Sequence, residues 1–88
     1  MGKAKFANTF NLWGMRNPKD TKFVKAFGKN LRKIRLSKGI SQEYLADEAN
    51  ISFNQVSRIE NGEVNTTIVT INALAKALGV EIRELFDF

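Results

Sequence analysis

Basic side chains are the residues whose number and placement suggest chemistry in this chain, and that chemistry is the binding of phosphate. Of 14 Lys and Arg in 88 residues, eleven lie in residues 1–39, where Asp20 is the one acid and the net charge is +10. Residues 40–88 hold three bases and eight acids, for a net charge of −5. Such a division gives one cationic face, which is typical of proteins with a polyphosphate partner. The alternative is a Lys-rich surface that only keeps the protein soluble, because many basic domains never touch nucleic acid.

Few residues of this chain are of the types that catalyse reactions or bind metal ions. The chain has no His and no Cys, which removes the commonest general base, the commonest metal ligand, thiolate zinc sites and disulfides. An enzyme would need paired carboxylates or a Ser–Lys site, and the acids do not cluster at a spacing typical of a cleft. We therefore expect no enzymatic activity, no cofactor, no metal and no small-molecule ligand.

Targeting signals are also missing from the sequence. No stretch approaches 18 apolar residues, and the N-terminus lacks the apolar run of a secretion signal. Phe6 stands where a myristoylation signal has Ser or Thr. These features predict a small, soluble, cytoplasmic protein of one domain with no membrane partner.

Hydrophobic spacing predicts five helices and no strand, an all-α domain over residues 21–88 that follows a basic arm over residues 1–20. The arm is either a disordered tail or, because Phe6, Phe10 and Trp13 recur at helical spacing, a short helix packed on the body or on a partner subunit. Its cations could add sequence-independent affinity for DNA or reach into a minor groove. They are Lys3, Lys5, Arg16 and Lys19, followed by Lys22.

Capping residues set the expected helix boundaries. Thr21 caps a first helix that runs to about Lys38 and ends at Gly39, with a buried stripe of Val24, Phe27, Leu31 and Ile34. Ser41 opens a second helix, with Leu45, Ala46 and Ala49 inward, and a capping box of Ser52 and Gln55 opens the third. Thr67 caps a fourth helix, closed by Gly79, whose buried face is Ile68, Ile71, Leu74, Ala75 and Leu78. A fifth, over residues 81–86, contributes Ile82, Leu85 and Phe86.

The strongest signal lies in residues 42–61, where two short helices are separated by one tight turn. Helices so joined cross steeply, and their close approach needs a small residue, which Ala46 supplies. The turn needs a left-handed residue, and Asn50 stands there. Ile51, Val56 and Ile59 are placed to fill the angle between the helices. This pattern predicts a helix-turn-helix, whose second helix lies in the major groove while the first braces it across the DNA backbone.

Residues 27–86 resemble the Cro/repressor-like helix-turn-helix family, whose bacterial members are usually called xenobiotic-response-element-type regulators. The resemblance rests on residues 31–63 and 70–86, and above all on the runs SRIENG at 57–62 and LAKALGV at 74–80. Asn50 departs from the usual turn Gly, and Thr66 stands where the family often has Pro. Residues 1–26 lie outside the resemblance.

The resemblance implies which side chains meet DNA. Expected base contacts come from the start of the third helix and one turn on, at Ser52, Phe53, Asn54, Ser57 and Arg58. Asn54 has the donor and acceptor that read adenine, and Phe53 suits thymine methyl groups unless it packs on a neighbouring helix. Ser52 is primarily a cap. Arg58 could meet guanine, a phosphate, or an acid such as Glu43.

Expected contacts to the DNA backbone are Gln42, Arg35 and Asn61. Gln42 lies at a helix N-terminus, which favours an anion. Asn61 could also cap the third helix, and both roles can hold together. Arg35 and Glu60 match a family pair that forms a partly buried salt bridge and would hold Arg35 near the DNA backbone. The alternative is an exposed ion pair worth ~0–1 kcal/mol.

These implications favour a sequence-specific transcriptional regulator, a dimeric repressor that reads a palindromic operator in double-stranded DNA through the major groove. The homodimer surface is expected to involve helix five with Phe86 and Phe88. One alternative is an antitoxin, or another protein-interaction module with a protein partner, that also regulates its own operon. Another is the controller of a restriction–modification system.

Overall fold

A computed structural model describes residues 18–88, which fold into five α-helices without a strand. This confirms the expected all-α fold for that part of the chain. Expectations about Phe6, Phe10, Trp13 and the cations Lys3, Lys5 and Arg16 concern residues outside the described range. None of the helices in residues 18–88 is long and apolar enough to cross a membrane. The helices are α1 Pro18–Ser37, α2 Gln42–Ala49, α3 Phe53–Glu60, α4 Ile68–Leu78 and α5 Ile82–Leu85.

Helix α1 begins earlier than the sequence predicts. Its first residue is Pro18, so Thr21 lies inside the first turn and the expected role of Thr21 as N-cap is wrong. The physical reason is that proline suits the first turn, where its missing N–H would have no intrahelical partner. Asp20 in the same turn complements the positive end of the helix dipole. Residues 18–20, assigned to the arm, therefore belong to the helical body.

The other helix boundaries follow the predicted caps. The side chains of three N-cap residues each accept the backbone N–H three positions on, at 3.0–3.1 Å; they are Ser41, Ser52 and Thr67. The structure shows the Ser52 half of the box predicted with Gln55. A reciprocal capping box forms at α5 instead, between Glu81 and Glu84. Gly39 and Gly79 have φ of +72° and +71°, as expected of the residues that end α1 and α4.

The core draws on all five helices, and its fully buried side chains are Leu31, Leu45, Val56, Ile59, Leu74 and Leu85. Two residues expected in the core lie on the surface, because Ile68 is 79% and Ile82 is 44% exposed. Burial on α4 is confined to its later turns, at Leu74, Ala75 and Leu78, whereas Ile68 is the first residue of the helix. Helical spacing shows which face of α4 is apolar, but it does not show which turns of the helix contact the neighbouring helices.

Two residues of α1 fix the helix against the rest of the body. Gly28 faces the end of α3 so closely that a Cβ atom there would lie 2.4 Å from the carbonyl oxygen of Ile59. Asn30 is buried, and its Nδ2 donates at 2.9 Å to the carbonyl oxygens of both Glu84 and Leu85. These carbonyls belong to the last turn of α5, and that of Glu84 also accepts from the backbone N–H groups of Phe86 and Asp87. Helix α1 thus positions both α3 and the C-terminus.

Candidate nucleic-acid interface

The turn between α2 and α3 has the geometry that the sequence predicts. Asn50 adopts φ 59° and ψ 44°, and its N–H donates to the carbonyl oxygens of Ala46 and Asp47 in the last turn of α2. Ala46 of α2 is buried, and so are Val56 and Ile59 of α3. Ile51 packs half-buried against the same core. The helix-turn-helix is therefore confirmed, with one face of α3 buried in the core.

The opposite face of α3 carries the expected base-contacting residues. Asn54 is exposed, and Phe53 is 49% exposed, so about half of the Phe53 surface is open to a ligand. Ser52 is an exposed N-cap, as predicted, and Ser57 is half-buried. Val56, Ile59 and Glu60 take the inward positions. The outward face of α3 thus presents amide, hydroxyl and aromatic groups of the kinds that contact base edges in the major groove.

Arg58 completes this surface and has a different acidic partner from the one expected. Its Nε lies 3.7 Å from a carboxylate oxygen of Glu63, not near Glu43, and both side chains are more than half exposed. Glu63 follows α3 directly, which brings it within reach of the last turn of that helix. An exposed pair of this kind is worth ~0–1 kcal/mol, so Arg58 can exchange Glu63 for a phosphate or a base at little cost.

A polar depression of about 340 Å³ lies beside this edge and identifies a residue that the sequence analysis missed. Gln55 lines it together with Asn54 and Arg58. We assigned Gln55 only to capping, although its amide offers the same donor and acceptor pair as Asn54. Its position next to Asn54 on α3 is the signal that could have identified it.

A buried network holds the start of α2 against the end of α3. Arg35 donates twice to the Glu60 carboxylate, from Nε at 2.7 Å and from Nη2 at 3.0 Å. Its Nη1 donates to the carbonyl oxygen of Ile40 at 2.8 Å. The side chains of Arg35 and Glu60 are 7% and 0% exposed, so the alternative of an exposed ion pair is wrong. The hydrogen bond to Glu60 and its charge raise the pKa of Arg35 above the ordinary value despite burial.

Gln42 joins the same network. Its Nε2 donates to Oε1 of Glu60 at 2.9 Å, so the amide points toward the carboxylate and keeps one N–H for another acceptor. Arg35 is enclosed, which favours a positioning role over direct contact with phosphate. Asn61 is exposed and is the C-cap of α3, as its structural alternative predicts. Contact of these three residues with DNA stays a prediction.

The sequence model of the helix-turn-helix family matches residues 31–85, which contain α2, the turn, α3 and α4. The chain belongs to this Cro/repressor-like family. Among the family's relatives, the control protein C.BamHI of Bacillus amyloliquefaciens is 44% identical over 63 residues, which are 70% of this chain and 78% of the relative. The control protein C.MunI of a Mycoplasma species is 36% identical over 62 residues, 69% and 84% of the two chains.

A solved helix-turn-helix structure agrees with this assignment. The restriction-modification controller protein C.AhdI from Aeromonas hydrophila superposes with a TM-score of 0.74 at 41% identity. The match covers 75% of this chain and 96% of that chain. The likeness therefore spans nearly the whole controller and leaves about a quarter of the present chain without a counterpart there.

Proposed function

We propose that this helix-turn-helix protein is a sequence-specific DNA-binding regulator of transcription that controls a restriction–modification system. The observation that carries the proposal is the outward edge of α3, where Phe53, Asn54 and Arg58 are exposed. The other face of the helix is held in place by its buried side chains and by the hydrogen bonds of Glu60. The relatives support the controller role, because C.BamHI and C.MunI are control proteins and C.AhdI is a restriction-modification controller.

Recognition divides between bases and backbone. In this proposal α3 enters the major groove, where Asn54 reads an adenine, Phe53 meets thymine methyl groups, and Ser52, Ser57 and Arg58 supply further contacts. Gln42 and Asn61 bind phosphates on either side of the groove. Arg35 positions these residues through its hydrogen bonds to Glu60. The free N–H of Gln42 at the start of α2 suits an anion, because the helix dipole acts in the same direction.

A single domain of this size covers too little DNA for useful specificity. One small module buries only ~600–1,000 Å² on DNA, so we propose a homodimer on a palindrome with half-sites ~34 Å apart. Ile82 of α5 is partly exposed, as the expected dimer surface requires. The structure adds Ile68 and Val69, which are 79% and 78% exposed at the start of α4. Phe86 fits a dimer surface less well, because its ring packs on Phe27 at a centroid distance of 5.0 Å.

Selection of bound sequences from random duplexes, with affinity followed against salt, tests the DNA-binding proposal. We expect an enriched palindrome and a log–log salt slope of several units, since each phosphate contact releases counterions. Weak binding without an enriched motif would contradict it and favour a protein-interaction module.

The controller role needs a second experiment. A reporter driven by the DNA upstream of the protein's own gene, and one driven by the start of any adjacent nuclease or methyltransferase gene, should each change expression when the protein is supplied. A dose-dependent response at those promoters supports the controller. Specific binding without any response there, or the lack of such neighbouring genes, would leave a DNA-binding regulator of another system.

A further inference from the structure

An aromatic cluster lies on the surface formed by α1 and the C-terminal residues. The ring of Phe23 on α1 stacks on Phe86 at a centroid distance of 6.3 Å and meets Phe88 at 5.6 Å. Phe27 lies beneath, buried and 5.0 Å from Phe86. Phe23 and Phe88 remain more than half exposed. Large apolar side chains gathered in this way on a surface mark a place where another segment binds.

The cluster borders an apolar groove of about 100 Å³. Its walls include Phe23, Val24 and Ile71, and the polar residues Asn65 and Thr66 also line it. The hydroxyl oxygen of Thr66 is buried and has no hydrogen-bond partner among the described residues. The groove is smaller than the ~300–1,000 Å³ of ligand pockets, so it fits part of a single ring side chain and not a small-molecule ligand. The unpaired hydroxyl favours a ring that also carries a hydrogen-bonding group.

We propose that residues 1–17 of the same molecule dock on this groove, with Trp13 as the anchor. Trp13 precedes Pro18 by five positions, a span of up to ~17 Å when extended. Phe23 lies five residues into α1, only ~7.5 Å along the helix axis. Trp13 can therefore fold back onto the Phe23 side of α1. The short connection gives the segment a high effective concentration that a separate partner lacks.

The chemistry of the segment matches that of the groove. Phe6, Phe10 and Trp13 are separated by four and three residues, a spacing that would bring all three to one face of a helix. Of these rings only that of Trp13 carries a donor, the indole N–H, which the Thr66 oxygen can accept. The segment has three cations and no acid, so the docked segment would hold positive charge beside α1.

Fluorescence tests this directly, because Trp13 is the one tryptophan in the 88 residues. In the full-length native protein we expect blue-shifted emission and protection from acrylamide quenching, relative to the same protein in urea. Phe23→Ser removes a groove wall and should shift the emission to the red and raise quenching toward the urea value. Thr66→Val keeps the apolar walls of the groove but removes the hydrogen-bond acceptor for the indole N–H. We therefore expect acrylamide quenching between that of the wild type and that of Phe23→Ser. Phe53→Ser is the matched control, since Phe53 is about as exposed but lies on α3, and it should leave Trp13 unchanged.

Several outcomes would overturn the proposal. Native emission and quenching equal to those in urea would show that Trp13 is not docked. A blue shift that survives Phe23→Ser would place Trp13 elsewhere. A blue shift that disappears on dilution together with an oligomer would assign the groove to a second copy. None of these results bears on the selection experiment with DNA, so the regulator proposal stands or falls separately.

Discussion

At the scale of single residues, the carboxylate of Glu60 accepts hydrogen bonds from two other segments of the protein, two from Arg35 and one from Gln42. Glu60 ends α3, Gln42 begins α2, and Arg35 lies near the end of α1. The carboxylate therefore sets the position of the predicted phosphate-binding end of α2 relative to α3. A buried ion pair contributes little net stability, but removal of one partner leaves a buried charge without compensation.

Glu60→Gln is the sharpest test of this network. The substitution keeps the shape of the side chain but removes the charge that balances buried Arg35, so we expect the free energy of unfolding to fall by ~3–5 kcal/mol. Urea denaturation of the purified protein measures the change. Glu63→Gln is the matched control, because Glu63 pairs with Arg58 at 3.7 Å on the exposed surface and should cost ~0–1 kcal/mol. Equal and small changes in the free energy of unfolding for both substitutions would show that the network does not stabilise the fold.

Asn54→Ala tests base recognition without disturbing the fold. Asn54 is exposed, so the melting temperature should stay unchanged, while preference at one base pair per half-site should relax at a cost of ~1–3 kcal/mol. Repeating the sequence selection with the variant measures this. Gln42→Ala should instead weaken binding to all sequences about equally, after correction for any loss of stability through Glu60. Full retention of the wild-type motif by Asn54→Ala would remove Asn54 from the base contacts.

At the scale of elements, local signals and tertiary contacts explain different parts of the fold. The caps at Ser41 and Thr67 and the turn at Asn50 were predictable, because each depends on the chemistry of one residue and its backbone. The burial of α3 was also predictable, since Val56 and Ile59 lie one turn apart. The hydrogen bonds of Asn30 to α5 were not, because they join residues 54 and 55 positions apart and leave no periodic trace in the sequence.

Gly28 gives an element-scale prediction in which two effects oppose each other. Alanine favours a helix interior by up to ~1 kcal/mol over glycine, but a Cβ at this position would lie 2.4 Å and 2.6 Å from the backbone oxygens of Ile59 and Glu60. Backbone atoms cannot rotate away, so α1 and α3 would have to separate, at a cost of ~1–3 kcal/mol. We expect Gly28→Ala to lower the melting temperature and to weaken DNA binding by displacing α3.

The neighbouring residue supplies the control for Gly28. Lys29 is exposed on the same helix, so Lys29→Ala should change the free energy of unfolding by no more than about 0.5 kcal/mol. Thermal denaturation of both variants makes the comparison. A stabilised Gly28→Ala protein would mean that the helices adjust without loss and that the close approach is not required.

At the scale of the whole molecule, the site divides into a part visible in the sequence and a part that needs the folded body. The resemblance to the helix-turn-helix family implied which residues of α3 form the predicted base-contacting edge. The resemblance implied the Arg35–Glu60 pair, but its near-complete burial and the hydrogen bond of Gln42 to Glu60 depend on how α1, α2 and α3 meet, and no local pattern reports that. The exposed apolar surface of Ile68 and Val69 likewise emerges only when the rest of α4 is buried.

That surface gives the prediction for the assembled regulator. Ile68 and Val69 make little contact with the body, so the double substitution Ile68→Ser, Val69→Ser should leave the fold of the single chain intact. If Ile68 and Val69 of one subunit pack against the same residues of the other subunit, the variant should sediment as a monomer at concentrations where the wild type is a dimer. Its affinity for the palindrome should then fall toward that for one half-site, because the two domains no longer bind as a unit. Leu36→Ser, which removes an exposed leucine from α1, should change neither property. A variant that remains dimeric and keeps full affinity for the palindrome would show that the subunits meet elsewhere.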